Sequence, residues 1–153
     1  MKSSIQFITD LNKLKEEILV LLSNEIDSDI LISGTFDNLI YKHILDEILK
    51  NCAIKNCKII IPYITSSGII SRPYINKISS LGGQIRHNGK FKTNIIVIGK
   101  YVFILSFSSK FSKEYGIKSE FECCIETDDQ GTLENIYEIF TNMWDKGLPL
   151  INS

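Results

Sequence analysis

The stretch that decides the fold runs Leu81-Gly82-Gly83-Gln84-Ile85-Arg86-His87. It resumes at Phe91-Lys92-Thr93-Asn94-Ile95-Ile96-Val97-Ile98, then Gly99-Lys100, then Tyr101-Val102-Phe103-Ile104-Leu105-Ser106. Two runs dense in Ile, Val and Phe, joined by a dipeptide containing glycine, are the signature of a tight β-hairpin. Gln84-Ile85-Arg86-His87 reads as a short strand before it, and Thr93–Ile98 as its first arm.

Outward from this hairpin the pattern alternates. On the N-terminal side, residues 10–25 place Leu11, Leu14, Ile18, Leu21, Leu22 and Ile26 near a 3.6 period, which predicts an amphipathic helix capped by Thr9 or Asp10. Asp29–Thr35 and Lys58–Pro62 are short apolar runs that predict buried strands, the second stopped by its proline. Residues 38–51 predict a second helix, with Leu39, Ile40, Ile44, Leu45, Ile48 and Leu49 inward. A third runs from Pro73 to Leu81 and closes at Gly82-Gly83. On the C-terminal side, Phe107–Ser119 reads as a polar loop and Glu120–Thr127 as a last strand. Residues 131–145 read as a closing helix, with Leu133, Ile136, Ile139, Phe140 and Met143 on one face and Trp144 in the core. Helices alternating with buried strands predict an α/β fold: one mixed sheet with helices on both faces, formed by residues 1–153 as a single domain.

The bulk properties narrow the function. The chain has 153 residues, 44% hydrophobic and 23% charged, enough for a core without disulfide or metal staples. With 17 basic against 18 acidic residues, a net charge of −1 argues against a protein built to coat nucleic acid. No apolar run reaches the length of a membrane span, and Met1–Phe7 does not read as a signal peptide, so a cytoplasmic location is expected. Ile is abundant and Lys far outnumbers Arg, a codon-usage effect that carries no functional weight.

The four cysteines fit that expectation. Cys123 and Cys124 are adjacent on a strand and point to opposite faces; Cys52 and Cys57 flank a helix end at a spacing that suits neither zinc nor a disulfide framework. The expectation is reduced structural thiols, no metal and no cofactor. The two histidines read as surface residues, His43 on the outer face of the second helix and His87 in a loop with Lys90.

From the first helix to the last, this order resembles the phospholipase D superfamily. The likeness is carried by Leu81–Arg86, Phe91–Gly99 and Phe103–Ser108, by a later strand opening with Glu120 or Glu122, and by Phe140-x3-Trp144 closing the last helix. The resemblance implies an α/β/α sandwich. The family's motif is His-x-Lys-x4-Asp, followed after a hairpin by Gly-Ser-x-Asn. Laid on this chain, the histidine falls on Lys92, the lysine on Asn94 and the aspartate on Gly99. The quartet falls on Ser106–Ser109 at strict spacing, or on Leu105–Ser108 if the hairpin is one residue shorter. The tight Gly99-Lys100 turn favours the shorter reading.

In the family the histidine attacks phosphorus while lysine and asparagine hold the phosphoryl oxygens. A Lys92 ammonium is a poor nucleophile, Asn94 brings no charge and Gly99 no side chain. The expectation is therefore a non-catalytic module, similar to the effector domain of TrmB-type archaeal transcription regulators, with a divergent phosphodiesterase or nuclease as the alternative. Those regulators carry a winged helix, for which no room remains here, so the chain reads as the effector module alone or a piece of a longer regulator. A small polar or anionic ligand is expected in a cleft lined by Lys92, Asn94, Ser106, Ser108 and Ser109, with Ser66-Ser67-Gly68 as further candidates. Direct nucleic-acid binding is not expected without a separate DNA-binding domain. Active family members need two halves, which implies a homodimer meeting across the face of Lys92 and the segment after Ser106, with Phe91, Phe107, Phe111 and Tyr115 beside it.

Overall fold

The computed structural model describes residues 3–24, 29–34, 39–50, 56–62, 72–114 and 116–150. In chain order the elements are β1 (Ile5–Ile8), α1 (Leu11–Asn24), β2 (Ile30–Ser33), α2 (Leu39–Leu49), β3 (Cys57–Ile61) and α3 (Arg72–Ser80). There follow β4 (Gln84–His87), β5 (Ile95–Ile98), β6 (Tyr101–Ser112), β7 (Gly116–Thr127), α4 (Gln130–Asp145) and β8 (Leu148–Pro149).

The strands form one eight-stranded sheet in the order β1-β7-β6-β5-β2-β3-β4-β8. β2, β3 and β4 run parallel, and the remaining pairs are antiparallel. The sheet is mixed, as the alternation of elements predicts. β2 and β5 are buried at every position, because both faces are covered.

Strand alternation divides the core in two. On one face Ile30, Ile32, Ile59, Ile61, Ile96, Ile98, Phe103 and Leu105 pack against Leu14, Ile18 and Leu22 of α1, Ile44 and Ile48 of α2, and Ile75 and Ile78 of α3. On the other, Leu31, Ile60, Ile95, Val97 and Val102 meet Phe140 and Trp144 of α4. The result is the three-layer sandwich expected. Trp144 is core: it stacks on Phe140 with 6.3 Å between ring centroids and 15° between planes. Asp129 caps α4, accepting from the Thr132 backbone N–H at 2.9 Å and from its hydroxyl at 2.8 Å.

Several expectations need correction. Phe107–Ser119 is not a polar loop. Its residues form the outer arms of a long β6–β7 hairpin, registered from Phe107↔Phe121 to Ser112↔Gly116. β1 and β8, at the two sheet edges, are strands that periodicity does not reveal. His87 ends β4, as the strand reading of Gln84–His87 has it, and is half-buried rather than a surface loop residue. Ile139 is 45% exposed, so it does not join the inward face of α4. Ile26, Cys52, Ser66-Ser67-Gly68 and Tyr115 lie outside the described residues, as do the side chains of Leu39, Ile40, Ser109 and Phe111.

Candidate functional site

Because β2, β3 and β4 run parallel, their carboxyl ends share one edge of the sheet. β5 enters at that edge, since Ser33 at the end of β2 pairs with Ile95 at the start of β5. The Ser33 hydroxyl donates to the Thr93 carbonyl at 2.7 Å, and the Leu105 N–H donates to the Asn94 carbonyl at 2.9 Å. These bonds pin the segment that carries Lys92 and Asn94. Lys92 itself is exposed and Asn94 half-buried. In open α/β sheets such an edge is where ligands gather.

The pleat does not bring all the expected residues together. Asn94 is bonded to Leu105 and precedes Ile95 in the ladder, so alternation from Ile96 carries it to the face of α1–α3. Ser106 and Ser108 alternate with Leu105 and Phe107, which face α1–α3, and fall on the α4 face. Phe107 lies on the same face as Asn94, and meets Phe121 edge to face at 6.1 Å.

Ser106 has a partner that the motif comparison does not supply. Its hydroxyl donates to Glu122 Oε1 at 2.7 Å. The β6–β7 register jumps there: Ser106 pairs with Cys123 and Phe107 with Phe121, so Glu122 is the extra residue of a β-bulge. A bulge re-aims a side chain out of the regular alternation, which places the carboxylate over Ser106.

The other nucleophile candidates lie elsewhere. His43 is exposed on α2. His87 donates from Nε2 to the Pro62 carbonyl at 2.9 Å, since that carbonyl can only accept. The Cys124 thiol is fully buried and pushed up to about 12, first by burial and then by Glu126, which keeps it protonated and inert at neutral pH. Among the described residues no group of three or more His, Cys, Asp or Glu could hold a metal ion. Among them, too, no helix is long and apolar enough to cross a membrane.

With the sheet order and this edge in view, solved structures supply the comparison. Nuc from Salmonella typhimurium, a phospholipase D family member, superposes with a TM-score of 0.64 at 17% identity, over 99% of this chain and 100% of its own. The fold is phospholipase D-like. NucT from Helicobacter pylori gives 0.62 at 14% identity, over 97% of this chain and 100% of its own. TrmBL2, an archaeal chromatin protein, gives 0.61 at 15% identity over 95% of this chain; the match spans 53% of TrmBL2. No protein-family model matches the sequence, and no curated protein matches it.

Proposed function

We propose that this chain is a non-catalytic phospholipase D-like module that acts by binding a small polar or anionic ligand, in a regulatory role and as a homodimer. One observation carries the reading. The chain has two histidines, and neither stands at the entrance to β5: His43 is on α2 and His87 is on β4, bonded to Pro62. In the motif reading the family's nucleophile falls on Lys92, and the side chain there is exposed. An ammonium can hold an anion but cannot attack phosphorus while it keeps its proton. Lys92 and Asn94 then serve as ligand contacts on one face of the sheet edge, and Ser106, Ser108 and Ser109 belong to the strand beside it.

The test is turnover of plasmid DNA and of bis(p-nitrophenyl) phosphate at high protein concentration without added metal. No turnover is expected. Turnover that disappears in Lys92→Ala would overturn the reading and establish the divergent phosphodiesterase instead. Sedimentation equilibrium checks the assembly: a 17.4 kDa monomer at every concentration would remove the homodimer.

A further inference from the structure

A concavity opens at the carboxyl end of β4, on the sheet edge that also carries Lys92, which is not among its lining residues. It is a pocket of about 420 Å³ bounded by His87, the turn Asn88-Gly89-Lys90, and the end of α4 from Met143 to Lys146. That size is in the range of small-molecule sites, about 300–1,000 Å³. Its charge is one-sided: Lys90 and Lys146 stand exposed at it, His87 is half-buried in its wall, and no carboxylate lines it among the described residues.

The end of a helix is ordinarily hostile to anions, because its last carbonyls point outward. Here three of the last four are taken. The Met143 carbonyl accepts from Asn88 Nδ2 at 2.8 Å, and the Asn142 carbonyl from the Lys146 N–H at 3.3 Å. The Trp144 carbonyl accepts from Arg86 Nη1 at 2.7 Å and from the Gly147 N–H at 3.0 Å. Asn88 also accepts the Lys90 N–H through Oδ1 at 3.0 Å, which ties the lysine's backbone to the same buried amide. The turn is thus held against α4, and two ammonium groups flank a hollow at which three of the helix's last carbonyls already have donors.

We propose that this pocket binds the phosphate group of a small phosphate monoester, with Lys90 and Lys146 as the charge contacts. Two point-charge ammoniums suit a dianion better than a carboxylate, and ammonium is a common partner of phosphate. Lys92, the anion contact of the proposed function, does not line this pocket, so different lysines test the two proposals.

The experiment is calorimetric titration of the full chain at low ionic strength with inorganic phosphate, with a nucleoside monophosphate, and with the neutral nucleoside. Saturable binding of the monophosphate is expected. Phosphate alone should bind more weakly, and the nucleoside not at all. Lys90→Ala with Lys146→Ala, made in a Lys92→Ala background so that the contact proposed at Lys92 cannot contribute, should weaken binding by about tenfold or more. Both lysines are exposed, so circular dichroism of the double variant should match the parent. Binding that survives the double substitution in the Lys92→Ala background, binding abolished by Lys92→Ala alone, equal binding of the neutral nucleoside, or no saturation by about 10 mM overturns the proposal.

Discussion

Truncating Trp144 to alanine tests the packing of α4 against the sheet. The indole is 6% exposed and lies in the smaller of the two cores, with Phe140 stacked beside it and Leu31, Ile60 and Phe91 in the same cluster. Arg86 Cζ stands 4.5 Å from the ring centroid and Lys58 Nζ 5.5 Å. Removing an aromatic ring from a packed core costs about 3–5 kcal/mol. The backbone carbonyl that holds Arg86 is unaffected, so the loss isolates the ring. At about 2–4 °C per kcal/mol for a chain of this size, the thermal midpoint should fall by about 6–20 °C. Melting followed by circular dichroism is the assay, because Trp144 is the sole tryptophan and its fluorescence is lost with it. Trp144→Phe keeps a ring in the stack and should lose less, about 1–2 kcal/mol. A midpoint for Trp144→Ala within about 2 °C of the parent would mean that α4 is not seated on this face.

The buried Glu126 carboxyl is pushed up to about 7 from 4.5, first by burial and then by the neighbouring Glu17, with Asp128 adding to the rise and Lys13 opposing it. The folded state thus holds a proton that the unfolded chain releases, and stability falls as pH rises through about 4.5–7; Glu126→Gln should flatten that fall and raise the melting midpoint at about pH 8. Gly99, at φ 61° in the turn between β5 and β6, should cost about 1–2 kcal/mol as valine and less as asparagine, read from urea midpoints.

The central strands were legible because burial on both faces writes a continuous apolar run. Cys57–Ile61 and Ile95–Ile98 needed no long-range information to be recognised. The edges were not. Ile5-Gln6-Phe7-Ile8 is a strand only because it pairs with β7, and with Ile5 76% and Phe7 63% exposed it carries no buried run that would mark it. β8 is two residues, one of them a proline, too short for any period. The outer arms of the β6–β7 hairpin are rich in Ser and Lys, and polarity there imitates a loop. The pocket beside His87 joins the end of β4 to the end of α4, more than fifty residues apart, and no local pattern announces such a meeting.

The strand pairing at the β5 edge was legible in part, and the unread part follows from register rather than from motif. A two-residue turn at Gly99-Lys100 sets Ile98 opposite Tyr101, and counting back along the arms sets Ile95 opposite Ile104. One step further, Asn94 meets Leu105, so Ser106 cannot share its face. The same tight turn that favours laying the family's serine on Ser106 thereby turns that serine toward α4. What counting could not supply is the partner Ser106 takes there. Glu122 reaches it only because β7 carries one residue more than β6 at that point, and nothing in Phe121-Glu122-Cys123 marks a bulge. The residues that chemistry would group by type are therefore divided by the sheet: Lys92 and Asn94 precede the entrance to β5, and the Ser106 hydroxyl is held by a carboxylate. The register, and not the residue types, therefore decides which of these side chains can meet.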